Sequence, residues 1–251
     1  LDSNTPQIKN AVTLVMGGHN EYWTNNMRDN LQSAIDRGTN LLIFGGNTGY
    51  NRMRLEDNRK IAMWRSTKSD PFGTVLDKAT TAWRMAPIRK PESLLMGSQY
   101  IGLGVSGDFT ITHPNRWPFN VMSKPDRLRL VVGREVDSPL YSPGPAVESL
   151  ATSEIKVYGQ SATAMATYYN TKAGAGVLDI GTNGWPCAMA NICPWHSNVP
   201  SNVREDIRAV TMNILSGAAA GPLAKRYPAL EEIPARSTSK KLFFPNKRSI
   251  R

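Results

Sequence analysis

The chain has 251 residues, of which 40% are hydrophobic, and a net charge of +10. No apolar run approaches the roughly 18 residues that a membrane span requires, so a soluble domain able to bury a substantial core is expected. Six of the ten net positive charges lie between Arg236 and Arg251, a Ser- and Lys-rich stretch with no acidic residue; it reads as a solvated or tethering tail, which disfavours specific nucleic-acid binding.

In chain order, residues 11–16 (Ala-Val-Thr-Leu-Val-Met) read as a buried strand. Met27, Leu31, Ala34 and Ile35 then recur at helical spacing, with cap candidates at Thr24 to Asn26 and Gly38 as the stop. Residues 41–44 form a second short strand ending in Gly45-Gly46. This is a βαβ unit, whose right-handed crossover makes the two strands parallel. A long irregular insertion, about 52–125, carries Pro71, Pro87, Pro91, Pro114 and Pro118. Loops of that length are usually functional or hold small elements of their own. A third apolar run, 128–132, leads into Gly133-Arg134-Glu135-Val136-Asp137, and a fourth, 176–180, into Gly181-Thr182-Asn183-Gly184-Trp185. Residues 203–215 read as a helix packing back on the sheet. The expected fold is α/β, a mostly parallel sheet sandwiched by helices over residues 1–235, with a basic tail over 236–251.

The polar residues that follow these strands carry the chemistry. Open α/β sheets bind ligands at the carboxyl edge of their strands. Gly18-His19-Asn20-Glu21-Tyr22-Trp23 follows the first strand, Tyr50 the second and Glu135 the third. Tyr22, Tyr50 and Glu135 would thus offer three hard oxygen donors on one edge, a set suited to a small, highly charged cation. Free tyrosine titrates near ~10, so only a strongly Lewis-acidic ion would hold it as phenolate, and mononuclear Fe(III) fits best.

The two cysteines, Cys187 and Cys193, are too few for a disulfide scaffold and lack zinc-site spacing; ordinary buried or loop thiols are expected, with a local disulfide as the alternative. Cys193 and His196 form one C-x-x-H pair, too little for a mixed metal site. No G-x-S-x-G elbow appears, and no cysteine sits in a strand-to-helix turn, which disfavours serine and cysteine hydrolases.

The string His19-x-Glu21-Tyr22-Trp23 is followed by Met27-Arg28-Asp29, Asn47-x-x-Tyr50-x-Arg52-x-Arg54-x-Glu56 and Trp64-Arg65. Further on come Glu92 to Gly97 with Tyr100, Gly133-x-Glu135-x-Asp137, and Gly174-x-Gly176-Val177-Leu178 leading to Gly181 and Trp185. Over about residues 11–217 this order resembles the C-terminal domain of the N,N-dimethylformamidase large subunit. The resemblance implies a glutamine-amidotransferase-like, flavodoxin-like sandwich. It also implies an iron held by Tyr22, Tyr50 and Glu135, and hydrolysis of a small-molecule amide to an amine and a carboxylate. In that chemistry His19 or Glu21 would move protons, and Asn47 and Arg54 would donate to the developing oxyanion. The chain departs from the family at Gly133, where a histidine would closely precede the ligand glutamate. It also begins almost on its first recognisable strand, so a partner subunit or a missing N-terminal region would complete it, and an oligomer is possible. The competing reading is a non-catalytic α/β module that associates through its basic tail.

Overall fold

The computed structural model describes residues 1–236 except Asn4, Asn58, Pro125 and residues 194–197. The C-x-x-H pair at His196 and the basic tail beyond Arg236 lie outside the described residues.

The βαβ unit forms as its pattern dictates. Strands β1 (Thr13–Gly17) and β3 (Asn40–Phe44) pair in parallel, with Val15 opposite Leu42. Between them come the two-residue strand β2 (Tyr22–Trp23) and helix α2 (Asn25–Asp36). The Thr24 hydroxyl accepts the Met27 N–H at 3.1 Å, a cap that contributes about 1 kcal/mol. Gly38, at φ 99°, closes the helix in a conformation a side chain would strain. Strand β11 (Gly176–Asp179) extends the parallel part on the other side of β3, placing Leu178 opposite Leu42.

Alternation along these strands divides the core into two layers. Leu42, Phe44, Leu178 and Ile180 face one cluster, which helix α5 (Ser201–Ala219) covers with Val203, Ile207, Val210 and Ile214. Leu41, Ile43 and Val177 face the other, with Leu31 and Ile35 of α2. Both helices thus bury an apolar stripe recurring every three to four residues.

The rest of the sheet differs from the expectation. Its order is β1-β3-β11-β10-β9-β7-β8, and only two of its six pairings are parallel. Strands β7 (Gln99–Ile111) and β8 (Arg127–Ser138) form one antiparallel pair, and β9 (Glu148–Val157) and β10 (Gln160–Asn170) another. The β9–β10 connection is Tyr158-Gly159, with both residues at positive φ. So short a link permits only a hairpin. The third apolar run is therefore part of the antiparallel edge strand β8. Nor is 52–125 uniformly irregular: it contains β4 (Asn51–Arg52), β5 (Arg54–Glu56), β6 (Lys60–Ala62), α3 (Ser93–Met96) and the 13-residue β7. Glycines interrupt the alternation of β7 because β9 comes too close for side chains; a Cβ on Gly102 would lie 2.1 Å from Val157 Cγ1.

Strand β8 nevertheless returns to the parallel edge. Leu130 and Arg134 adopt left-handed φ values of 60° and 66°, and the β7–β8 register slips at three places, as at bulges. The end of β8 bridges the segment after β11 through Val136 and Thr182, and the Asp137 N–H donates to Gly181 O at 2.9 Å. Among the described residues no helix is long and apolar enough to cross a membrane.

Candidate functional site

Three strand ends meet around Glu135. The turn after β1 passes through Gly18, at φ 66°, and presents His19. The turn after β3 runs through Gly45 and Gly46 to Asn47, at φ 58°. A Cβ on Gly46 would lie 2.7 Å from Glu135 O, so the close approach of β8 requires glycine there. After β11, Asn183 stands at the N-terminus of α4 (Gly184–Ala190).

The Glu135 carboxylate is held from three directions. Oε1 accepts Asn47 Nδ2 at 2.9 Å, and Oε2 accepts Asn183 Nδ2 at 2.6 Å. His19 Nδ1 lies 2.7 Å from the same Oε2, and His19 Nε2 lies 3.0 Å from Glu21 Oε2. With a carboxylate oxygen on each ring nitrogen, both can donate only in the imidazolium form. Burial raises the Glu135 carboxyl above the usual range, the Glu21 charge adds to this, and His19 and Asn47 pull it back. The His19 side chain is 48% exposed against 11% for Glu135, so the imidazole is the member that meets solvent.

Glu21 links this group to the tyrosines. Its Oε1 accepts Asn51 Nδ2 at 2.5 Å, on the strand that pairs with β2. The Tyr22 hydroxyl is raised by burial and by the charge and hydrogen bond of Glu21; Arg65, whose Nη2 donates to it at 2.5 Å, opposes that rise. Burial also raises Tyr50, against the Arg84 guanidinium 4.9 Å from its ring centre. Tyr100 packs edge-on against Tyr50 at 5.3 Å. No hydrogen bond among the described residues occupies the Tyr50 hydroxyl.

His19, Glu21, Asn47 and Glu135 therefore form one connected network, with Tyr22 bonded to Glu21 and Tyr50 within reach of its charge. Arg54 is engaged elsewhere: Nη1 donates to both Asp70 oxygens at 3.0 Å and to Lys78 O at 2.9 Å, and Nη2 pairs with Glu56 at 2.8 Å. Asn47 spends its amide on Glu135 and so positions that carboxylate; its Oδ1 is buried with no hydrogen-bond partner.

Three residues of the site were not read from the sequence. Asn183 holds Glu135, and Asp137 accepts the Asn47 N–H at 2.8 Å. Asp179 is fully buried beside Asp137. A charge inside the apolar run 176–180 was the available signal for Asp179. The cysteines also depart from expectation: Cys187 and Cys193 form a disulfide joining α4 to the segment after it.

A cleft of about 440 Å³ opens on this cluster, lined by Gly18, His19, Leu103, Glu135, Pro186 and Cys187 among others. Among the described residues no group of three His, Cys, Asp or Glu side chains is placed to hold a metal ion.

The class is thus an α/β protein with a mixed sheet, whose histidine–carboxylate cluster sits where its parallel strands end. The family model described as "N,N-dimethylformamidase beta subunit-like, C-terminal" matches residues 1–199, and the chain belongs to that family. No curated protein matches the chain.

Proposed function

We propose that this protein hydrolyses the C–N bond of a small linear amide, using iron. The observation that carries the reading is the His19–Glu135 contact of 2.7 Å, at the mouth of a small cleft, with Tyr22 and Tyr50 both within reach of the Glu21 charge. The donor chemistry fits ferric iron. Both phenols are raised, so neither ionises at neutral pH unless a strong Lewis acid binds it, and the Tyr50 hydroxyl is unclaimed by hydrogen bonds among the described residues.

Tyr22, Tyr50 and Glu135 are the residues that would hold the iron, which when bound supplies Lewis acidity to an amide carbonyl or a water. The chain's own groups supply the rest. Asn47 and Asn183 fix the Glu135 carboxylate. His19, half-exposed and bridged by two carboxylates, passes a proton to the departing amine, with Glu21 restoring it. Leu103, Pro186 and Cys187 give the cleft apolar walls that limit water around a small substrate. The β-subunit-like family makes a partner subunit part of this reading.

The test is elemental and optical analysis of the purified protein together with amine release from N,N-dimethylformamide. Bound iron, a visible tyrosinate band that Tyr50→Phe bleaches, and amine formation are expected. Absence of both iron and the band defeats the metal assignment; iron-loaded protein that releases no amine from a series of small amides defeats the amidase assignment.

A further inference from the structure

A second cavity is lined by a buried carboxylate, one oxygen of which has an ion-pair partner but no hydrogen bond among the described residues. Glu148, the first residue of β9, is 2% exposed. Its Oε2 accepts the Leu230 N–H at 2.9 Å, whereas Oε1 is buried and accepts no hydrogen bond among the described residues. The nearest cation, Arg116, holds Nε 3.6 Å from Oε1, beyond hydrogen-bond length, and donates Nη2 to Pro228 O at 3.2 Å. Burial raises the Glu148 carboxyl; the Leu230 N–H and the Arg116 charge oppose the rise, Glu232 adds to it and His113 opposes it.

Glu148 lines an open cavity of about 260 Å³ together with Arg116, Trp117, Tyr168, Arg226 and Tyr227 among others. It shares no lining residue with the cleft beside Glu135. Tyr168 stands directly across the β9–β10 ladder from Glu148 and donates its hydroxyl to Tyr227 O at 2.8 Å. Trp117 stacks on Tyr227 with centroids 4.3 Å apart and planes 11° from parallel, and meets Tyr168 edge-on at 5.3 Å. The Arg226 guanidinium lies 5.8 Å from the Tyr227 ring centre. The cavity is therefore aromatic on its walls, with a carboxylate at its floor and two guanidinium groups among its lining.

This pattern selects the ligand's charge. A simple cation would satisfy Glu148 but meet two arginines, and a simple anion would leave Oε1 unmet. A ligand carrying both signs satisfies all three groups. The volume lies just below the usual range for drug-sized ligands, about 300–1,000 Å³, which suits a single amino acid and excludes a nucleotide.

We propose that this cavity binds a zwitterionic apolar or aromatic α-amino acid. Its ammonium takes the free Glu148 oxygen, Arg226 and a reoriented Arg116 take its carboxylate, and the Trp117–Tyr227 pair takes its side chain. The site goes beyond the amidase reading and stands or falls separately from it.

Titration calorimetry on the full chain, with L-leucine and L-phenylalanine as probes, tests this. At least one should bind saturably, and isopentylamine and 4-methylpentanoate, which each carry one of leucine's two charged groups, should bind at least about tenfold more weakly. Glu148→Gln keeps an acceptor for the Leu230 N–H and should weaken amino-acid binding at least about tenfold without moving the unfolding midpoint. Should that variant fail to fold, Arg226→Gln at the exposed rim should give the same loss. The proposal is overturned if neither amino acid binds at about 10 mM, if isopentylamine binds as well as leucine, or if the folded variants bind like the parent.

Discussion

Asn47 donates its side-chain amide to Glu135 Oε1 at 2.9 Å from a left-handed backbone position, φ 58°, that asparagine and glycine tolerate best. The two properties can be separated. Asn47→Ala loses the bond to a charged group and strains the backbone, together roughly 3 kcal/mol; Asn47→Gly loses only the bond and should be about 1 kcal/mol more stable than the alanine variant. Urea unfolding measures this difference. On the proposed amidase reading, both variants should lower amine release and iron content to a similar extent, because both remove the Asn47 bond to Glu135. A glycine variant with the parental rate would refute the positioning role.

Arg54 is held in an ion-pair network away from Glu135. Its partner Asp70 has a fully buried side chain that also accepts the Phe72 and Thr80 N–H groups and the Thr80 hydroxyl. Arg54→Leu leaves that carboxylate without its counter-ion, and breaking a buried pair costs about 3–5 kcal/mol. Denaturant unfolding should show a loss near the lower figure, because the arginine is 14% exposed, while amine release per folded molecule is unchanged. An unaltered unfolding curve with a rate lower by about a hundredfold would restore the oxyanion role expected from the sequence.

The reasons behind these assignments mark where the sequence was legible. Local patterns translated directly: the β1–α2–β3 unit, the Thr24 cap, the Gly38 stop and α5 all arise from residues near one another in the chain. Long-range pairing did not. Leu128 to Val132 reads as a buried strand in any sheet, and nothing in it distinguishes a parallel neighbour of β3 from the antiparallel edge strand β8. Strands β9 and β10 are separated in the sequence only by the two-residue Tyr158-Gly159 turn, so their boundary carries little local signal. Glu135 still reached the expected edge, but by the bulged return of β8 rather than by a βα turn. Arg54 lies two residues from Glu56, a pairing that local spacing allows, whereas its contact with Asp70, 16 residues on, is not visible in the motif.

The disulfide gives a stability prediction. It closes a loop of sequence separation 6 in a chain with only these two cysteines. Thiol titration of the denatured, unreduced protein should find no free thiol. Loop closure of that length contributes about 2 kcal/mol, so a Cys187→Ala, Cys193→Ala double variant should melt about 4–8 °C lower by calorimetry. Because Cys187 also lines the cleft, its loss should alter KM for small amides before kcat. Two titratable thiols in the unreduced protein would contradict the bridge.

Asp137 and Asp179 set the pH dependence of stability. Both are wholly buried, and burial raises both carboxyls, the Asp179 charge adding to the rise of Asp137. Asp179 is pushed up to about 7, even with Ser98 donating to one oxygen and the Gly181 N–H to the other at 2.9 Å. Glu92 and Glu135 also bear on Asp137, against Arg84. Burial therefore favours protonation in the folded protein at pH values where an unfolded aspartate, titrating near ~3.9, has lost its proton. The folded state binds more protons between these values, so this contribution to stability falls as pH rises from about 4 toward 7. Each unit of separation corresponds to about 1.4 kcal/mol. Asp179→Asn replaces the titrating carboxyl with an amide and should flatten the decline. Urea midpoints at pH 5 and pH 8 check it: the parent should be less stable at the higher pH, the variant much less affected. Equal declines in the two proteins would show that the dyad does not hold the proton.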